Sequence, residues 1–213
     1  MSLVYLRELD QHTKFAIWRI EEDEQTLAEQ LQLDEIEEQK LMSLSNGKRR
    51  LHWLATRVLL RTLLNTTAYI DCPSDKNGKP YLANFSEKIS LTHSFDYAGA
   101  IVSSTGEVGI DMELIKSKVE RIAHKFLKEQ ELSFISKDKN RIEQLYACWS
   151  AKEAVYKLQG NIGVSFLHNM TITPFEYEEE GILRLYLTSE KHNRSFDVYY
   201  EKFNDYLLAY VVE

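Results

Sequence analysis

Asp111 and Glu113 stand two residues apart in the segment Gly109-Ile110-Asp111-Met112-Glu113. The flanks Ala100-Ile101-Val102-Ser103 and Leu114-Ile115 read as β-strand. Strand side chains alternate faces, so the two carboxylates point one way while Ile110 and Met112 point the other. Carboxylates about 7 Å apart on one strand face repel each other unless a cation or a proton lies between them. Gly109 has no side chain and would let a bulky anionic group approach the backbone. The same spacing also fits two solvated side chains on an edge strand, so a further group must decide between these readings.

That group is Glu153. A helix over about 140–159, stopped by Gly160, places Ile142, Leu145, Tyr146, Trp149 and Tyr156 within one arc of about 100°, with Glu153 near its centre. A carboxylate on an apolar face costs several kcal/mol, on the order of a buried charge, unless it is protonated, paired or metal-bound. Lys157, one turn on, offers a purely structural ion pair, and Lys152 lies at the edge of the stripe. Three carboxylates with no His–Cys cluster suit Mg²⁺ better than zinc. Lys79, His93, Lys157 and a basic helix at Lys48–Leu64 could grip a polyphosphate. A hard cation and several lysines with no evident nucleophile point to phosphoryl-type transfer by positioning and charge neutralisation.

Several elements must position these groups. Val4–Leu6 and Phe15–Ile20 read as short strands joined by the turn Asp10-Gln11-His12. Glu21–Lys40 carries Leu27, Leu31 and Ile36 at helical spacings. Ser45 or Asn46 could cap the helix that follows, Lys48–Leu64. There Leu51, Leu54, Ala55, Val58 and Thr62 share a side, with Arg50, Arg57 and Arg61 as a stripe beside them. This stripe is either a solvated face or an anion-binding surface. A turn-rich loop over 71–80 holds Lys79 between Gly78 and Pro80. Strands Ile89–Thr92, Tyr97–Ser103 and Glu107–Glu113 follow, with turns at Phe95-Asp96 and Thr105-Gly106 and His93 where the first strand ends. Helical material over Val119–Ile135 precedes the helix of Glu153. Strands Met170–Pro174, Ile182–Leu187, Ser195–Tyr200 and Tyr206–Val212 close the chain, with turns at Tyr177–Gly181 and at 191–193. Each half offers a long helix followed by strands. The expected fold is therefore α+β: two similar lobes, 1–106 and 107–213, related by a pseudo-twofold, each a small antiparallel sheet packed on a long helix, with the active site between them.

The 213 residues can bury a sizeable core, and 44% hydrophobic with 28% charged residues is ordinary for a soluble protein. A formal net charge of −7 gives no reason to expect nucleic acid. No apolar run approaches the roughly 18–20 residues of a membrane span, and Met1–Arg7 lacks the pattern of a signal peptide. With Cys72 and Cys148 in neither metal-type nor disulfide spacing, a cytoplasmic protein with reduced thiols is expected.

Taken together, the motifs resemble the 4′-phosphopantetheinyl transferase superfamily, in its surfactin-synthetase-activating, monomeric two-lobe branch. The resemblance rests on Val108-Gly109-Ile110-Asp111-Met112-Glu113 and on Trp149-Ser150-Ala151-Lys152-Glu153-Ala154 followed by Lys157. Upstream, Gly78-Lys79-Pro80-Tyr81 and Leu91-Thr92-His93-Ser94 stand where the family keeps a GKP and an SHS motif. Together these motifs run from about Lys48 to Gly160, roughly half the chain. The resemblance implies transfer of the phosphopantetheine arm of coenzyme A to a serine of a carrier protein, releasing adenosine 3′,5′-bisphosphate. It gives Asp111, Glu113 and Glu153 to Mg²⁺, and His93, Lys157 and Lys152 to the CoA diphosphate and its surroundings. Lys79 would reach the adenine end, and Lys48 with Arg49 or Arg50 the 3′-phosphate. Thr92 replaces a serine of the family motif and keeps its hydroxyl for cofactor binding. For the serine proton the resemblance offers Glu153, directly or through a metal-bound water, or Glu131. The latter lies in Phe126-Leu127-Lys128-Glu129-Gln130-Glu131, which is similar to an F-F-x-x-x-E segment, although Lys125-Phe126-Leu127 departs from the common R-F-F.

Two other readings compete: a Mg²⁺-dependent hydrolase of a CoA-like diphosphate, which would use the same carboxylates, and a non-catalytic CoA-binding protein, which would normally have lost a carboxylate or lysine where Asp111, Glu113, Glu153 and Lys157 all stand. An acidic acyl or peptidyl carrier protein is the expected partner, and the exposed parts of Ala123–Leu132, with Lys125 and Lys128, either receive it or form a solvated helix face.

Overall fold

A computed structural model describes residues 2–160, 163–189 and 193–213. The chain divides into two compact units, one of residues 1–76 with 80–108, the other of 77–79 with 109–213. Among the described residues no helix is long and apolar enough to cross a membrane.

In the first unit β1 (Leu3–Glu8), β2 (Thr13–Arg19), β3 (Lys88–Ser94) and β4 (Tyr97–Ser103) form an antiparallel sheet in the order β1-β2-β4-β3. The β1–β2 turn closes where the Asp10 carboxylate accepts the backbone N–H groups of His12 and Thr13. The β3–β4 turn needs a left-handed residue, and Phe95 takes it at φ 52°. Helices α1 (Glu24–Ala28) and α2 (Glu35–Ser43) start at Asp23 and Asp34, whose side chains accept the N–H groups of Thr26 and Glu37. The long α3 (Lys48–Leu64) lays Leu54, Ala55, Val58 and Leu59 against Ala16, Trp18, Ala98 and Ala100 of the sheet. The cap expected from Ser45 or Asn46 is absent: Gly47 is the N-cap residue, at φ 87°, with no side-chain hydrogen bond. That backbone conformation favours glycine and leaves neither polar neighbour in the capping position.

The second unit carries a five-stranded antiparallel sheet in the order β5-β9-β8-β7-β6, from β5 (Val108–Leu114), β6 (Met170–Ile172), β7 (Glu180–Thr188), β8 (Asn193–Phe203) and β9 (Tyr206–Val212). Of the turn expected at 191–193, only Asn193 lies among the described residues. The helical stretch expected over Val119–Ile135 is broken into a 3₁₀ segment, Ser117–Lys125, and α4 (Glu129–Phe134). The break lies where the Glu131 carboxylate turns back to accept the N–H of Lys128. Helix α5 (Arg141–Gln159) ends at Gly160, left-handed at φ 77°, and short α6 (Phe166–Asn169) leads into β6. Leu145, Cys148, Ala151 and Val155 of α5 pack with Leu185, Val198, Leu207 and Ala209 of the sheet. Each unit is thus an antiparallel sheet with a long helix, although the sheets differ in strand number and order.

Candidate active site

In the second unit β5 and α5 touch backbone to backbone. A Cβ built on Gly109 would stand 2.0 Å from the carbonyl oxygen of Ala154 and 3.1 Å from the Leu158 Cβ. The space expected to admit an anion is therefore filled by α5, and Gly109 permits the packing that brings the two elements together. Two residues on, Lys157 Nζ donates to Asp111 Oδ1 at 2.8 Å and to the Ile110 carbonyl at 3.0 Å. Lys157 thus pairs across the contact with Asp111 instead of along its own helix with Glu153.

Asp111 is 5% exposed, so β5 does not carry two solvated carboxylates although it is an edge strand. Glu113 and Glu153 are half-buried. Burial, then the Asp111 charge, then that of Glu113 push the Glu153 carboxyl up to about 7, against the opposing pull of Lys157. Glu113 is raised in the same way, by burial and then by Asp111, while a hydrogen bond to Trp149 and the charges of Lys118 and Lys157 act in the opposite direction. The three carboxylates therefore share one electrostatic field. Sequence reasoning assigned no role to Trp149 or Lys118. Trp149 could have been found from its place four residues before Glu153, on the same helix face.

The fully buried face of α5 runs through Leu145, Cys148, Ala151, Lys152 and Val155, whereas Ile142, Trp149, Glu153 and Tyr156 are half-buried. Glu153 therefore borders solvent instead of sitting at the centre of the core-facing stripe. The helix is covered from the sheet side and by the 3₁₀ segment, which a single-face projection does not anticipate.

Lys152, expected at the CoA diphosphate or its surroundings, is enclosed in protein. It is 0% exposed. Its Nζ donates to the carbonyls of Phe126 at 2.7 Å, Phe166 at 3.2 Å and Met170 at 3.3 Å, and pairs with Glu131 Oε1 at 2.8 Å. Glu131, 1% exposed, also accepts the N–H of Lys128 and that of Ile172. With its oxygens occupied by a lysine and two amides, Glu131 is not placed to act as a base.

Lys79 Nζ donates to the Leu158 carbonyl at 2.8 Å, at the C-terminal end of α5, where a cation is favoured by the helix dipole. In the first unit Lys48 and Arg49 are exposed. Lys48 Nζ bonds Asp96 Oδ1 at 2.8 Å and lies 5.0 Å from the centre of the Phe95 ring. Arg50 turns inward to Glu24 Oε1 and to the carbonyls of Leu44 and Met42, which separates it from its two neighbours. Arg57 stacks on Trp53 and donates to the Cys72 carbonyl, and Arg61 donates to the Thr67 carbonyl. The expected arginine stripe is therefore engaged in holding its own unit together. His93 is exposed and stacked at 4.3 Å on His52, whose Nε2 lies 2.7 Å from the Phe95 carbonyl oxygen. Thr92 is buried.

Among the described residues no three of His, Cys, Asp and Glu converge on a common point as they stand. The donor chemistry of Asp111, Glu113 and Glu153 nonetheless fits a hard divalent cation. All are oxygen ligands, and in two of them, Glu113 and Glu153, burial and then the charge of neighbouring carboxylates raise the proton affinity, an environment that a bound cation would relieve.

Residues 107–211 match the family model of the 4′-phosphopantetheinyl transferase superfamily. The chain is 29% identical over 180 residues to the 4′-phosphopantetheinyl transferase HetI of Nostoc sp., an alignment that covers 75% of both chains. It is 30% identical over 120 residues to the 4′-phosphopantetheinyl transferase AcpT of Escherichia coli, covering 54% of this chain and 60% of the relative. A putative 4′-phosphopantetheinyl transferase of Haemophilus influenzae is 29% identical over 136 residues, covering 59% of this chain and 56% of the relative. The chain thus spans under two thirds of the latter two.

Proposed function

Because the chain belongs, through residues 107–211, to the 4′-phosphopantetheinyl transferase superfamily, we propose that it transfers 4′-phosphopantetheine from coenzyme A to a serine of an apo carrier protein. The observation that carries this reading is the shared field of Asp111, Glu113 and Glu153 with Lys157 bonded to Asp111. The same reading includes the surfactin-synthetase-activating branch, its pseudo-symmetric two-lobe plan, a monomer, a cytoplasmic location and an acidic carrier.

The serine Oγ forms a bond to the pantetheine-side phosphorus of CoA, and the bond from that phosphorus to the bridging oxygen breaks. Adenosine 3′,5′-bisphosphate leaves with the oxygen and its electron pair. Asp111, Glu113 and Glu153 would hold Mg²⁺, which when bound neutralises charge on the diphosphate. Lys157, fixed by Asp111 and the Ile110 carbonyl, adds a positive charge that needs no reorganisation during reaction. Glu153 is the candidate to take the serine proton. Lys48, Arg49, Lys79, Thr92 and His93 carry the CoA-binding roles that the resemblance implies. Of the cations at the start of α3, Lys48 and Arg49 are the exposed ones.

Intact-protein mass spectrometry tests the proposal. The purified protein is mixed with CoA, Mg²⁺ and a panel of apo carrier proteins, with an EDTA control. A carrier gaining the mass of one phosphopantetheine group, in the absence of EDTA alone, supports the transferase. CoA cleaved in solution with no carrier modified would replace it with a hydrolase, and CoA bound but intact with a binding protein.

A further inference from the structure

Lys152 and Glu131 form a buried ion pair with every part engaged. The lysine reaches three carbonyls and the carboxylate; the carboxylate accepts Lys152 and the amides of Lys128 and Ile172. These partners belong to three separate stretches: the end of the 3₁₀ segment with α4, α5 itself, and α6 with β6. Lys152 immediately precedes Glu153, so the rotation of α5 that seats one sets the direction of the other. Trp149, one turn earlier, packs at 5.0 Å on Phe126 and at 5.6 Å on Phe166, two residues whose carbonyls Lys152 binds. Trp149 also bonds Glu113. A turn of α5 about its axis would therefore break the lysine's bonds and move Trp149 and Glu153 together.

From this we propose that Lys152 and Glu131 are positioning residues, a polar rivet that holds α5 in the rotation at which Glu153 faces Asp111 and Glu113. The inference rests on the transferase reading for its kinetic consequence, but not for its structural one. A fully satisfied buried pair specifies a single arrangement, because any alternative leaves a charge or an amide without its partner. An apolar side chain in place of Lys152 would leave Glu131 buried and charged.

The test is a double-mutant cycle on the full chain with Lys152→Met, Glu131→Gln and the pair together. Thermal unfolding, the Mg²⁺-induced shift in melting temperature, CoA affinity by calorimetry, and transfer kinetics are measured for each. Lys152→Met is expected to lower the melting temperature and shrink the Mg²⁺ shift, with kcat falling about a hundredfold as Glu153 is displaced. Its CoA affinity should stay within about twofold of the parent, because the side chain is enclosed in protein. The neutral pair Lys152→Met/Glu131→Gln should recover most of the melting temperature and Mg²⁺ shift. A Lys152→Met protein that keeps both while losing CoA affinity by about tenfold would overturn the proposal and return Lys152 to the diphosphate. So would a double variant no better than the single one. Absence of transfer by the parent would defeat the transferase reading instead, with the stability and Mg²⁺ cycle still deciding the role of the pair.

Discussion

Replacing Glu153 with glutamine should make the metal-free protein more stable at alkaline pH while impairing its chemistry. The carboxyl is raised from an ordinary value of 4.5 to about 7 by burial and by the charges of Asp111 and Glu113. A group that binds its proton more tightly when folded supports folding fully below its unfolded value, and that support is lost as pH rises through the folded one. Below the unfolded value, at about pH 4, the parent and Glu153→Gln should therefore melt nearly alike, since both carry a neutral side chain of the same shape in the folded protein. Between pH 5 and 8 the parent pays to ionise a half-buried carboxylate beside two others. The gap between 4.5 and about 7 sets a ceiling of about 3 kcal/mol on the difference. For a chain of this size that is a gain of several degrees in melting temperature, roughly 2–4 °C per kcal/mol. Adding Mg²⁺ at pH 8 should reverse the order, because the parent regains a counter-charge and the variant has lost one ligand. Calorimetric melts at half-unit pH intervals, with EDTA and then with Mg²⁺, measure both effects. A difference that stays flat across this pH range, or a variant less stable than the parent at pH 8 in EDTA, would refute the shared-field argument.

Asp111→Ala should abolish transfer and flatten the dependence of CoA binding on Mg²⁺, read by calorimetry at graded metal concentrations; unchanged Mg²⁺ dependence would remove Asp111 from the ligand set. Gly109→Ala forces a methyl to within 2.0 Å of a helix carbonyl and should cost about 3 kcal/mol in urea unfolding, with loss of the Mg²⁺ shift, since neither backbone can yield cheaply. His93→Ala should be milder than either, raising KM for CoA more than it lowers kcat; a kcat loss as large as that of Asp111→Ala would place the ring at the reacting phosphate.

The alternation of Asp111, Ile110, Glu113 and Met112 was legible because strand geometry has a period of two, and the two long helices, the stop at Gly160 and the turn at Phe95 were legible from local chemistry, whereas the cap at Ser45 or Asn46 was not borne out. What lies opposite a side chain was not. Helical angle sets Lys152 beside Glu153 but says nothing of the carbonyls of Phe126, Phe166 and Met170, which come from distant turns and enclose its ammonium. Arg50, Arg57 and Arg61 line up as a basic stripe, yet their donors satisfy carbonyls and a carboxylate of their own unit. Gly109 was read as an opening for a ligand because its neighbour could not be seen. Lys157 was offered Glu153 by sequence distance, and found Asp111 through tertiary packing.

In the sheet of the second unit, the strand that carries Asp111 and Glu113 is the first in sequence, and its neighbour, β9, is the last. During synthesis the ribosome therefore releases both carboxylates long before the strand that pairs with them exists. Joining such distant segments closes a large loop and is slow compared with forming the β7–β8 hairpin between them. The site-bearing strand is thus expected to be among the late elements to dock. A nascent chain would therefore hold Asp111 and Glu113 on an unpaired strand until the whole unit had emerged.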